Sequence, residues 1–349
     1  MVSRRIILLL SSIIVSFTML ATFGLSACAP AAEPAPPAEE PAETAAVEPA
    51  DSQWTIGFNN FADSHEFCYK VHEGIREAAL EHGVELLYTE SEMDGTRMIS
   101  NTQVLIDQGA DLIIDFNWIP EVGETMLQMA QEAGVELISM DTVYEDTYYF
   151  GVDGYKAGEV LAEYAESVIK DRWDGKVEAL VGIYYVGGGD LVLDRVLGFK
   201  DYLKEKATGI DMPDEDMEFI FDAGADEQTL DARDTITDFL TANPGLNNVL
   251  VITHNDETGA GVFAGVELSG REDDVLLFSH GGDTPFHDHL RGGGGDVWVS
   301  SVAYAPETYG SQVIPMAIDI LEGKDVPLFV FLDHFPLHEG NIDEYYPVQ

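Results

Sequence analysis

The chain has 349 residues, 64 acidic and 17 basic, and a formal net charge of −47. Such a polyanion repels phosphate backbones and anionic headgroups alike, which excludes nucleic-acid binding through a basic patch and electrostatic docking on a membrane. Its 46% apolar and 10% aromatic content supplies more than one compact core holds, so two lobes are expected, and two cysteines make no disulfide framework. The acidic run Asp211, Asp214, Glu215 and Asp216 reads as a solvated loop, because no D-x-[DN]-x-[DN]-G calcium spacing occurs.

Arg4 and Arg5 precede an apolar run over residues 6–25, the pattern of an export signal. The run ends in Leu25-Ser26-Ala27-Cys28, which resembles the bacterial lipobox. That resemblance implies cleavage of a signal peptide at residues 1–27 and a diacylglyceryl anchor on Cys28. The alternative is a membrane-spanning anchor, for which a run of about 20 residues is long enough. Residues 28–53 are the lipidated Cys and a tether of Ala, Pro and Glu, extended because proline blocks regular structure and the carboxylates repel. A folded body starts at Trp54 and is held outside the cytoplasm, in the periplasm or at the cell surface.

Within the body, short apolar runs predict strands at 55–58, 84–88, 112–116, 135–140 and 149–152. Further strands are expected at 177–184, 218–221, 248–253, 275–279 and 297–303. Amphipathic spacing predicts helices over 66–82, 98–108, 120–133 and 156–169, then 191–206, 227–241, 257–268 and 307–321. Strict alternation with continuously apolar strands implies an α/β fold, with parallel sheets covered by helices on both faces. The number of units gives one sheet per lobe.

In open parallel sheets ligands bind beyond the carboxyl ends of the strands. The residues arriving there are the loop 59–66, the run Asp115-Phe116-Asn117-Trp118, and Asp141. From the second half come His254-Asn255-Asp256-Glu257, Ser279-His280-Gly281-Gly282 and Tyr304. Aromatic faces mixed with hydrogen-bonding groups suit a small hydroxylated ligand. Asp256 reads more simply as a helix cap, and Cys68 as a small buried hydrophobe.

The ordered anchors are Thr55-Ile56 with Gly74, Gly109-Ala110-Asp111, Met140-Asp141 and Arg195-x-x-Gly198-Phe199. They continue through Thr241-Ala242-Asn243-Pro244, Asn255-Asp256-Glu257 and Leu321-Glu322-Gly323-Lys324. This series resembles the ribose-binding-protein group of type I periplasmic binding proteins, the capture subunits of ABC importers. The resemblance implies two Rossmann-like lobes joined by a three-strand hinge that close over a sugar. Crossings then fall near Val152/Asp153, Tyr304/Ala305 and Asp333, so that 54–152 plus 305–332 form one lobe and 153–304 plus 333–349 the other.

The resemblance also implies ligand contacts. The family's first-strand loop matches Ser64-His65-Glu66-Phe67-Cys68, with Ser64, His65 and Phe67 as contacts and Cys68 in place of a second aromatic. A family asparagine falls on Phe116, with Asn117 one place later. Asp141 matches a carboxylate that accepts sugar hydroxyls, while the arginine after it is Thr142 here. Arg195, Asn255 and Tyr304 hold further contact positions, and Glu227 matches loosely. His280 stands for a family aspartate and Tyr304 for a glutamine. These departures argue against ribose itself, because a site built for particular hydroxyls rejects ligands that leave its polar groups unpaired. Asp141, Arg195 and Asn255 still suit vicinal hydroxyls, and the acidity disfavours anionic solutes, so a neutral sugar or sugar-like polyol is expected.

Two rival readings remain. One is a zinc protein using His280, His287 and His289 with Asp283, although no H-E-x-x-H occurs and their spacing does not share one helical face. The other is a ligand-sensing module for a receptor. No G-x-S-x-G elbow is present, and Gly292–Gly295 lacks the Lys-Ser/Thr of a phosphate loop, so it reads as a turn. The expectation is therefore a monomeric binding protein with no cofactor and no catalytic residue, partnered by ABC permease subunits.

Overall fold

Apolar runs become strands and amphipathic runs become helices in near-strict alternation. The structure, a computed structural model, describes residues 53–224 and 228–348. The first half runs β1 (Thr55–Asn60), α1 (Glu66–His82), β2 (Glu85–Glu90), α2 (Gly95–Asp107), β3 (Leu112–Phe116), α3 (Pro120–Ala133), β4 (Glu136–Met140) and β5 (Tyr148–Gly151). The second starts with α4 (Gly154–Trp173), β6 (Ala179–Tyr184), α5 (Gly189–Asp201), β7 (Glu218–Asp222) and α6 (Gln228–Ala242). It continues through β8 (Val249–Thr253), α7 (Asp256–Ser269), β9 (Val275–Gly281), α8 (Thr284–Arg291) and β10 (Trp298–Ala303). The chain ends in α9 (Tyr309–Leu321), β11 (Phe329–Phe331), β12 (Phe335–Leu337) and α10 (Ile342–Tyr345).

Two six-stranded sheets result, ordered β11-β5-β4-β3-β1-β2 and β12-β10-β9-β8-β6-β7. The first five strands of each half take the same order, and every pairing is parallel except β10 with β12. The chain passes between the sheets three times: at Val152–Asp153, at Tyr304–Ala305, and at Leu332–His334 between β11 and β12. Among the described residues no helix is long and apolar enough to cross a membrane.

Strand alternation decides which helix covers which face. On β1, the side of Gly57 and Asn59 meets Leu105 and Met98 of α2, while Phe58 lies against His72 of α1. Ile56, Phe58, Ile114, Ile138 and Phe150 are fully buried in the first sheet, and Val181, Ile183, Val251 and Leu277 in the second. Helix pairs pack tightly through glycine. A Cβ on Gly310 of α9 would lie 2.0 Å from the Gly74 carbonyl oxygen of α1, and one on Gly158 of α4 would lie 2.4 Å from the Arg195 carbonyl oxygen of α5.

Some elements differ from the sequence expectation. α2 starts earlier, at Gly95, because the Asp94 side chain caps it by accepting the Arg97 N–H at 2.8 Å. The helix expected over 191–206 ends as α5 at Asp201 and continues as a π turn, Tyr202–Lys206. α8, β11, β12 and α10 were not anticipated. Each is short, and three-residue strands carry too little alternation to register as a period.

Candidate functional site

The carboxyl ends of both sheets meet, and side chains from the two sides touch. His65, which precedes α1, brings Nε2 to 3.8 Å from the Glu257 carboxylate at the start of α7. Thr284, which opens α8, donates to Glu66, and Phe67 lies edge-on to Tyr304 with ring centres 6.5 Å apart.

From the first sheet comes an aromatic wall. Phe67 packs 6.3 Å from Phe116, 6.0 Å from Trp118 and 5.7 Å from Tyr309. Trp118 also meets Phe61 and stands edge-on to His65 at 5.0 Å. Phe116 is fully buried at the end of β3, behind Phe67 and Trp118.

Charge enters at Asp141 and Arg195. Asp141 sits at the end of β4 with φ 56, in the left-handed region that Asp tolerates better than most residues. One carboxylate oxygen accepts the Val152 N–H at 3.0 Å and the other accepts the Tyr309 hydroxyl at 3.2 Å. Burial lifts its pKa to about 6, against the opposing pull of these donors and of Arg195. Arg195 lies on α5. It donates to the His254 carbonyl at 2.8 Å, and its guanidinium carbon stands 5.0 Å over the centre of the Tyr304 ring.

Tyr304 is the hub of the second side. Its hydroxyl is 2.9 Å from Nδ1 of the fully buried His280, and its ring meets His334 at 5.4 Å. Burial, reinforced by Arg195, holds His280 well below its ordinary value and His254 at about 3. His334 is pushed down to about 4, chiefly by burial. The charge of Arg195 thus bears on three imidazoles that burial already lowers. Arg195 Nε, His280 Nε2 and both His334 ring nitrogens are buried with no hydrogen-bond partner among the described residues.

The expected contact residues do not all reach this centre. Phe67, Asp141, Arg195, His280 and Tyr304 converge there, with Phe116 supporting from behind. Asn117 uses its amide to hold its own loop, donating to Ile119 and to the Tyr144 hydroxyl and accepting the Ile119 N–H at 2.7 Å. Asn255 caps α7 through the Thr258 N–H at 2.8 Å and donates to Gln228 at 3.0 Å. Ser64 is exposed, and His65 stands at the edge with a buried, unpartnered Nδ1. Glu227 and Cys28 lie outside the described residues. His254 stood among the residues expected at the strand ends but acts through its carbonyl. Tyr309 lies in the expected helix over 307–321 without having been singled out, and His334 stands in the third crossing, where no periodicity marks it.

Asp256 goes deeper than a cap. It accepts from Ser279, Ser301 at 2.7 Å and the Asp283 N–H at 2.6 Å, and burial beside Asp283 raises both carboxyls. Cys68 is buried and free. The histidines of the zinc reading diverge: His289 Nε2 accepts the Gly295 N–H at 3.1 Å, His287 packs on Tyr346, and His280 bonds Tyr304. Among the described residues no three His, Cys, Asp or Glu side chains are placed to hold a metal ion.

Comparison with known proteins gives consistent matches. A family model described as periplasmic binding protein domain matches residues 56–325. The ribose import binding protein of Bacillus subtilis is 24% identical over 277 residues, which cover 78% of this chain and 84% of that protein. Among solved structures, a periplasmic solute binding protein from Actinobacillus succinogenes with bound D-allose gives a TM-score of 0.69 at 19% identity, covering 84% of this chain and 100% of that one. A solute binding protein from Bacillus halodurans with bound myo-inositol gives 0.68 at 16% identity, covering 85% and 98%. At these identities the structural likeness speaks for the two-lobed α/β fold.

Proposed function

The chain belongs to the periplasmic binding protein family, and on that premise we propose that it captures a sugar or sugar-like polyol between its lobes for an ABC importer. The observation that carries this reading is the set of buried polar atoms without partners among the described residues, Arg195 Nε, His280 Nε2 and the His334 nitrogens, gathered around Tyr304, which Phe67 meets edge-on. Buried donors and acceptors cost free energy unless a ligand pairs with them, and closely spaced hydroxyls do that. The D-allose and myo-inositol bound by its structural relatives support the same class.

Function is binding and closure, with no covalent step. Groups from both sheets favour the closed arrangement once ligand bridges them, and the permease reads that state. The body works outside the cytoplasm, tethered to the membrane through acylated Cys28. Native mass spectrometry of protein purified without refolding tests the ligand class. A polyhydroxylated compound is expected on release; a released amino acid or metal ion overturns the proposal.

A further inference from the structure

The body is crowded with carboxylates, and nearly every described lysine and arginine lies within ion-pair distance of one. Arg291 and Arg195 are the exceptions among the described residues. Arg291 is exposed and bonds the Tyr346 carbonyl. Arg195 is half-buried in the ligand site, held by one carbonyl and the Tyr304 ring, with Nε unpartnered. Asp141, the carboxylate that bears on it, stands outside ion-pair distance and accepts the Val152 N–H and the Tyr309 hydroxyl.

Among the described residues no carboxylate lies within ion-pair distance of this guanidinium, and Asp141 acts on it from farther away. His254, His280 and His334 are imidazoles kept uncharged by burial. When the Tyr304 hydroxyl donates to His280 Nδ1, the imidazole proton sits on Nε2, which is fully buried and unpartnered. Among the described residues the site therefore offers a cation with no carboxylate in contact and imidazole N–H groups near it, an arrangement that suits an anion.

We infer that the ligand is a hydroxylated carboxylate, an aldonic or uronic acid, whose carboxylate is received by Arg195 with His280 and His334 donating beside it. This rests on the sugar-or-polyol reading of the same site and adds the charge that the ligand carries. A half-buried guanidinium with no carboxylate in contact is paired better by a ligand carboxylate than by hydroxyl dipoles. The net charge of −47 works against anionic solutes only at long range. Such exposed charges are screened beyond about 8 Å at physiological ionic strength, and they govern encounter rate more than selection.

Calorimetry on matched pairs tests the inference. D-galactose and galactitol are compared with D-galactonate and D-galacturonate, and D-ribose and ribitol with D-ribonate. At least one acid is expected to bind about tenfold or more tightly than its neutral counterparts, an affinity gap well resolved by titration. Arg195→Met removes that preference. His280→Asp supplies Arg195 with an internal partner and inverts it. Neutral members binding as well as or better than their acids overturns the inference and leaves the proposed function standing. Binding of no member, together with release of a neutral polyhydroxylated compound in native mass spectrometry, overturns the inference alone. The wild-type panel decides the matter even where a variant fails to fold.

Discussion

Asp141 and Arg195 face the same site but are held in different ways, and the difference predicts different mutants. The Asp141 carboxylate ties the end of β4 to the first crossing through Val152 and to α9 through Tyr309. Asp141→Ala leaves a buried N–H and a buried hydroxyl without their acceptor, a loss of about 1–3 kcal/mol for each such group. Arg195 bonds only one carbonyl, so Arg195→Ala is expected to leave the unfolding free energy nearly unchanged. Both should weaken ligand binding in calorimetry; equal stability loss in urea for the two would contradict the division of roles. Residue types that announce themselves after a strand, such as Asp141 and Tyr304, were legible in the sequence. Asn117 and Asn255 were equally visible, yet local N–H groups claimed their side-chain oxygens, which asparagine in a loop or at a cap readily allows. His334 was invisible because a crossing of three residues has no pattern to read.

At the level of elements, the long helices and buried strands were legible because they repeat a period many times. β11 and β12 add one strand to each sheet in three residues apiece, and only tertiary pairing specifies them. Packing between helices matters more directly for the site. α5 carries Arg195, and its distance from α4 is set by the bare Cα of Gly158 and Gly198: a Cβ on Gly198 would lie 2.0 Å from the Tyr155 carbonyl oxygen. Gly158→Ala must therefore push α5 outward. Overpacking of this kind costs about 1–3 kcal/mol. Ligand affinity should fall in the same variant because Arg195 moves with its helix, whereas Gly83→Ala, at an open site beyond α1, should lose stability through its φ of 66 alone. Urea melts paired with calorimetry separate the two; a Gly158→Ala protein with native affinity would show that α5 position does not tune the site.

For the whole molecule, the lipobox resemblance and the charge make separate predictions. Cys28→Ser should leave the precursor unacylated and unattached, seen as loss of radiolabelled-lipid incorporation; normal acylation would remove the anchor from the proposal. Stability against pH follows the buried groups whose pKa values burial displaces. Asp115 is raised to about 7 and Asp141 to about 6, both by burial, so each contributes stability that is full below about 4 and is lost as pH rises through those values. The histidines act in the opposite sense. His254 is held at about 3, and His287 and His334 at about 4, each mainly by burial. Their contribution is full above the unfolded value of 6.5 and is lost as pH falls toward the folded ones, by up to about 1.4 kcal/mol per unit for each group. With His280 lowered as well, four imidazoles are opposed by four carboxyls, because burial also raises Asp256 and Asp283. The two sets offset below about pH 6.5, and the ligand-free protein should lose stability as pH rises from about 6.5 to 8, where only the carboxyls still titrate. Asp115→Asn should raise the melting temperature most at pH 8, less at pH 5, and barely change it below pH 4. Adding salt to about 1 M, where the Debye length is about 3 Å, should raise stability at every pH by screening the surface while leaving the slope intact. A pH slope that vanished in high salt would instead place its origin among the exposed carboxylates.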